Sequence, residues 1–515
     1  MNKFFAFIAG VLLFAMNGNA QPRYEFRAVW IATVDNIDWP SKGNYNSDSQ
    51  RAEFIRILDM HQRNGMNAII AQIRPATDAF YPSPYEPWSE WLTGKQGTPP
   101  NPYYDPLQFM IEETHKRGME FHAWCNPYRA VFDIRKSSIA PTHVTRLYPD
   151  WFLTYGDKRY FDPGNKEGQE FVVKVIRDVV NRYPVDAIHF DDYFYPYRIQ
   201  GREFPDDKTY AQYGNGMSRD DWRRSNVDSI ILKLSKAIKE ENRFCRFGIS
   251  PFGIWRNKDK DPEGSETQAG QTNYDDLYAD ILLWLKNGWI DYVAPQIYFE
   301  FNHPRAAYEV LLDWWSRHSY GKHCYVGLGP YKAGTNPAWR DKTQLPRQIR
   351  AIRNTDNVQG MIYFSSKSFN NNPNGWSDSL RLNYYQSPAL IPPMEWIDNI
   401  RPLAPEIRNN SFGANNSYQL SVGISSTEKK KIKKFKLYLS SDSADRFVNF
   451  YTAKLLEEKP ADNGAQFTVP LPNDKKYAQV FVTAVDESGL ESLALAPSFP
   501  LLRFEKNENG GWTAR

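Results

Sequence analysis

The sequence predicts a (β/α)8 TIM barrel followed by a small all-β sandwich, and three observations carry that prediction. Short apolar, β-branched runs alternate with longer stretches of helical periodicity from about residue 27 to residue 365, the pattern of a parallel sheet built from βα units. The apolar runs number eight, the count at which such a sheet closes on itself. Past a stretch punctuated by Pro392, Pro393, Pro402 and Pro405, helical periodicity gives way to strand-like alternation, which marks a domain boundary.

Residues 1–20 combine one lysine, an apolar core from Phe4 to Met16 and a Gly18-Asn19-Ala20 end. That is the make-up of a secretory signal peptide cleaved before Gln21. No cysteine follows the core, so no lipobox is expected, and no later run reaches the ~20 apolar residues of a membrane span. The mature chain is expected to be exported, to the periplasm or the extracellular space.

The strands expected in the barrel, residues 21–395, are 27–34, 68–74, 120–126, 185–191, 247–252, 292–299, 324–330 and 360–365. Amphipathic stretches at 50–63, 106–116, 166–182, 220–241, 274–286, 305–317 and 342–353 supply helices. Gly65, Gly118 and Gly288 follow three of them closely, as helix-terminating glycines do. The longest βα insertions follow strands two to five and should wall the cleft. The sandwich is expected over 396–505, with alternation in Phe435–Leu439 and Val480–Val485, and 506–515 reads as a tail. Entry Pro402–Ile407 and exit Val482–Ser492 resemble a fibronectin type III domain.

A formal charge of +3 on 515 residues gives no electrostatic case for nucleic acid or an anionic membrane. The run Lys429–Lys434 reads as a solvated strand edge, a common guard against sheet aggregation. Cys125, Cys245 and Cys324 are too few for a disulfide framework, lack metal-ligand spacing and read as buried small hydrophobes. No HExxH, Walker loop, CxxC pair or dinucleotide fingerprint occurs, so neither metal nor cofactor is called for. The oligomeric state cannot be read. Aromatic residues at 15% favour a carbohydrate partner, because flat rings stack on sugars.

The fourth run, Ala187-Ile188-His189-Phe190-Asp191-Asp192-Tyr193-Phe194-Tyr195-Pro196, ends an apolar strand in two adjacent carboxylates among tyrosines. Barrel enzymes place their chemistry at the carboxyl ends of strands, and two neighbouring acids can be driven to different pKa values. Asp192 is the first catalytic candidate, with Asp191 supporting it or exchanging roles. Asp38, beside Trp39 at the end of the first strand, and Glu300, after the sixth, are the candidates for a partner acid. Trp39 and Trp255 are expected to stack on sugar rings, as are Tyr193 and Tyr195. Arg74 must be paired if buried; Asp78 is its expected partner, with contact to an acidic substrate as the alternative. Asn126, Tyr128, Arg129, His189, Gln296 and Tyr298 complete the expected substrate contacts.

Several motifs together, Arg27–Val34 with Asp38-Trp39-Pro40, Gln72–Pro75 with Asp78–Tyr81, Ala123-Trp124 with Asn126–Arg129, Phe161–Gly164, His189–Pro196 and Ala294–Tyr298, resemble the glycosyl hydrolase-like 10 family. The resemblance spans about residues 25–400. It implies a glycosidase barrel, and one branch is associated with cleaving peptidoglycan glycan strands stripped of stem peptides. The expected function is therefore an exported glycoside hydrolase acting on an N-acetylhexosamine polysaccharide. An α-glucan or other polysaccharide hydrolase and a non-catalytic glycan-binding protein stay open beside it.

Overall fold

A computed structural model describes residues 21–440, 453–462, 464–492 and 501–514; the signal-peptide reading falls on residues outside these. Eight parallel strands form a closed barrel: β1 (Phe26–Ile31), β2 (Ala68–Arg74), β3 (Glu120–Cys125), β4 (Ala187–Phe190), β5 (Arg246–Ile249), β6 (Tyr292–Val293), β7 (His323–Leu328) and β8 (Gly360–Tyr363). Each pairs with its sequence neighbours, and β8 closes on β1 with Phe26 opposite Gly360. All eight overlap the stretches expected from sequence, and β1, β5 and β7 begin one residue earlier than expected. The main helices outside the barrel are α1 (Ser47–Arg63), α2 (Pro106–Lys116), α3 (Lys166–Arg182), α4 (Arg219–Glu241), α5 (Ile281–Lys286), α6 (Tyr308–Arg317) and α7 (Gln344–Arg353). Asn46, Asp105, Asn165 and Ser218 cap the first four by accepting a backbone N–H from the first turn, the job for which short polar side chains are suited.

The helix expected over 274–286 is instead a short turn, Asn273–Asp276, followed by α5. Tyr278 lies between them with φ of 54°, which ends a right-handed helix; its ring sits under the Arg223 guanidinium.

Alternate residues of each strand point inward, and the inner barrel is filled in layers. Phe26 stacks on Tyr325 near the base, and Trp30, Ile70, Trp124, Tyr292 and Ile362 belong to the same cluster. His122 and His189 share this interior. Trp30 Nε1, which can only donate, bonds His189 Nε2 at 3.1 Å, so His189 carries its proton on Nδ1 and gives it to the Tyr292 hydroxyl at 2.9 Å. Tyr292 then donates to His122 Nδ1, and His122 Nε2 donates to Glu120. His189 is a neutral strut of the barrel, its pKa driven well down by burial and by His122.

The C-terminal part holds two antiparallel sheets, one of Glu406–Phe412, Ser417–Gly423 and Ala465–Pro470, the other of Ile432–Ser440, Lys454–Pro460, Tyr477–Asp486, Leu501–Lys506 and Trp512–Ala514. Trp512–Ala514, read from sequence within a tail, is thus an edge strand of the larger sheet. The lysine run is also not a solvated edge. Lys430 bridges Asp398 and Asp486, Lys431 meets Glu487, Lys434 meets Glu458, and Lys433 reaches Asp186 at the base of β4 at 3.0 Å. The run bonds the sandwich to itself and to the underside of the barrel. All three cysteines are buried and free.

Candidate active site

The site sits over the carboxyl end of β4. The strand stops at Phe190, so Asp191 and Asp192 leave the pleat, and both lie at the mouth, 4% and 2% exposed. Strict alternation would have sent them to opposite faces. Asp191 is the better supplied with donors. Trp124 Nε1 bonds it at 3.1 Å, Asn126 Nδ2 reaches both oxygens at 3.1 and 3.2 Å, and the Tyr193 backbone N–H and the nearby Arg129 charge add to these. Burial raises its pKa against these donors. Asp192 has fewer. The Tyr197 hydroxyl donates to Oδ2 and Gln296 hydrogen-bonds the carboxyl, while burial and then the Asp191 charge push its pKa up to about 7.

The surroundings explain why these atoms stand here. Asn126 Oδ1 accepts the Arg129 backbone N–H at 2.7 Å, which curls the loop after β3 so that its amide faces Asp191. Gln296 donates to the Ser250 carbonyl at 2.9 Å, tying the top of β6 to β5. Arg129 lies against the ring of Tyr193, 5.4 Å from its centroid, and Tyr197 packs on Tyr193 at 5.3 Å. Tyr298 completes the aromatic wall; its ring is 6.0 Å from both Tyr331 and Phe364, and the Asp192 charge helps to raise its pKa, after burial.

Other expected site residues take structural posts. Asp38 clasps the β1–β8 seam, accepting from the Ala32 N–H at 2.8 Å, the Ser365 hydroxyl at 2.8 Å and the Lys367 N–H at 2.7 Å. Burial still lifts its pKa to about 6. In an eight-stranded ring this seam lies across the mouth from β4. Asp38 also borders a groove of about 670 Å³ with Arg56, Arg63 and Lys367. Glu300 accepts the Trp339 indole N–H at 2.9 Å in the loop after β6.

Trp39 is not a stacking platform: it is 0% exposed, wedged between Phe54 and Phe80, and bonded to the Gln50 carbonyl. Trp255 is likewise buried, stacked on Trp314 in the outer layer. Tyr195 packs edge-on to Phe204 and Tyr278, and Tyr128 against Phe161. The partner of Arg74 is Glu86, in a buried pair at 2.6 Å, and its remaining donors hold the Asn126 and Pro127 carbonyls, leaving nothing for an acidic substrate. Asp78 instead faces Gln96 and the Ala76 N–H, with a pKa raised to about 7 by burial. His189 lies one layer below the acids.

Two residues of the site were not singled out from sequence as site residues. Trp124 shares a strand face with Asn126, which is a usable signal. Tyr197 continues the every-second-residue series Tyr193, Tyr195, Tyr197, but that spacing alone does not say which ring meets the acid. Among the described residues, no group of three or more His, Cys, Asp or Glu side chains is arranged to hold a metal, and no helix is long and apolar enough to cross a membrane.

The family model for Glycosyl hydrolase-like 10 matches residues 25–343. The chain belongs to the glycosyl hydrolase-like 10 family. It is 46% identical over 487 residues to Glycosyl hydrolase YngK of Bacillus subtilis (strain 168), covering 92% of this chain and 93% of that one. It is 39% identical over 376 residues to Glycosyl hydrolase DigH of Escherichia coli (strain K12), covering 68% and 85%. This member of the family is accordingly a glycoside hydrolase. Among solved structures, the PgaB (BpsB) glycoside hydrolase domain from Bordetella bronchiseptica aligns at 13% identity and TM-score 0.43, covering 70% of this chain and 98% of that chain. Alpha-L-fucosidase isoenzyme 2 from Paenibacillus thiaminolyticus aligns at 11% and 0.44, covering 69% and 49%.

Proposed function

We propose that this glycoside hydrolase is exported and cleaves an N-acetylhexosamine polysaccharide, namely peptidoglycan glycan strands without stem peptides, with Asp192 as general acid. The observation that carries the chemistry is the unequal pair at the end of β4. Asp192 is buried beside the Asp191 charge, and the two raise its pKa to about 7, so it keeps a proton up to the neutral range that it can deliver to a glycosidic oxygen. Asp191, fixed by Trp124, Asn126 and the Arg129 charge, is placed to be the charged partner that stabilises an oxocarbenium-like transition state. Tyr193 and Tyr298 offer faces for sugar rings. The glycan assignment is supported by the family resemblance, and export by the apolar N-terminal segment.

The test is to incubate the protein from Gln21 onward, and its Asp192→Asn variant, with peptide-free strands, α-glucan and chitin oligomers, following products by mass spectrometry. Fragments of the peptide-free strands from the wild type alone support the proposal. Fragments only from α-glucan would move the substrate, and binding without product in both proteins would make this a glycan-binding protein. Export is checked by the mass of the protein recovered outside the cytoplasm, expected to begin at Gln21.

A further inference from the structure

We infer that Tyr197 is a positioning residue whose hydroxyl, in the free enzyme, occupies the place on Asp192 that the leaving-group oxygen takes when substrate binds. The inference rests on Asp192 being the general acid. Tyr197 Oη donates to Asp192 Oδ2, and an acid that protonates a glycosidic oxygen must present a carboxyl oxygen to it; the two partners compete for one position. Asp192 is 2% exposed whereas Tyr197 is 37% exposed, so the phenol bridges a buried acid and the open mouth.

The ring is lightly held. It meets Phe252 edge-on at 6.4 Å and Tyr193 at 5.3 Å, and Tyr197 lies in the irregular loop between β4 and the helix at Asp207–Tyr213. Swinging it out breaks one hydrogen bond and these two ring contacts.

The electrostatic consequence has a definite sign. Asp192 is faced by Asp191, Tyr193 and Tyr197 from its own loop and by Gln296 and Tyr298 from beyond β6, with Arg129 behind Asp191. A donated phenol hydrogen bond favours the charged carboxylate. Its replacement by a sugar oxygen removes that support while excluding water, so the acid holds its proton to higher pH in the complex than in the free enzyme.

The test is Tyr197→Phe. The pH dependence of kcat/KM reports the free enzyme and that of kcat the complex. The basic limb of kcat/KM is expected to move up by about one pH unit, towards that of kcat, while the kcat limb stays in place and KM falls because no phenol has to be displaced. A carboxyl 13C NMR titration of substrate-free protein, with Asp192 assigned from Asp192→Asn, should show the same upward shift. An unchanged titration overturns the inference, as does a fall in kcat with neither limb moved, which marks a merely structural ring. Both limbs moving together would mean that the phenol stays on the acid in the complex, and also overturns it. If the wild type cleaves no glycan, the glycosidase assignment fails, and the NMR titration still decides separately whether Tyr197 holds Asp192.

Discussion

The two ends of the barrel bury the same kinds of acid and treat them in opposite ways. At the base, Asp186 is held by Lys433, His115 and the Phe121 N–H, and Glu120 by Arg246 and His122. Burial pushes both pKa values up, but the surrounding cations outweigh it and bring them down. At the mouth Asp192 has no ion-pair partner among the described residues and has the Asp191 charge beside it, so burial wins. The base acids, matched with cations, keep a shape; Asp192, with the Asp191 charge beside it, can store a proton. The acid assigned to chemistry lies at the mouth, as expected for a fold that places its chemistry at one face.

The largest effect that tests this contrast is on turnover. Asp192→Asn should keep the fold and lower kcat/KM by roughly 10²–10⁴-fold, the range for loss of a positioned acid; retention of more than a tenth of the activity would move the acid elsewhere. At the other end Arg246→Met should leave kcat nearly unchanged below the melting range. It should nevertheless destabilise the chain by about 3–5 kcal/mol, since Glu120 keeps its burial and loses its cation. Urea unfolding measures this, and a loss under about 1 kcal/mol would mean that the base pairs do not hold the shape.

A smaller effect separates the ends by pH. For Asp192 the folded pKa lies above the unfolded one, so its contribution to stability is present below about pH 4 and is lost as pH rises towards 7. Removing the carboxyl in Asp192→Asn should therefore stabilise the protein relative to wild type by on the order of 2–4 kcal/mol at pH 7 and by little at pH 4. The base acids have the opposite sign: their contribution is present above the unfolded pKa and disappears as pH falls through the folded one. Melting curves of both proteins across pH 4–8 test this, and a difference that does not grow with pH contradicts it.

Much of this contrast was legible in the sequence, but unevenly. The strands showed because an apolar β-branched run needs no partner to declare itself, and the acids at the end of β4 showed because carboxylates interrupt such a run. Polar partners were harder. Arg74 takes Glu86 rather than the closer Asp78 because the loop after β2 folds Glu86 back under the strand end, and nothing in the spacing says so. Trp39 and Trp255 looked like platforms, since a tryptophan beside a strand end reads alike whether its ring turns outward to a sugar or inward onto Phe54 or Trp314. The lysine run was misread for a similar reason: its partners Asp186 and Asp398 lie far off in sequence, and local charge cannot show what the fold brings opposite it.

Asn126 gives the finest test, because it acts on the mouth without being one of its acids. Its amide donates to both oxygens of Asp191 while its carbonyl oxygen turns the Arg129 N–H. Asn126→Ala removes all three bonds and leaves Asp191 with the Trp124 indole, the Tyr193 N–H and the more distant Arg129 charge. A hydrogen bond to a charged group contributes about 1.5–3 kcal/mol, and part of that is recovered by the remaining donors, so kcat should fall about tenfold. With less support for its charge, Asp191 gains proton affinity, and the acidic limb of kcat, where the charged partner is lost, should move to higher pH. A drop in kcat with that limb fixed would assign Asn126 to loop geometry alone, and the charge on Asp191 would then be held chiefly by Trp124 and Arg129.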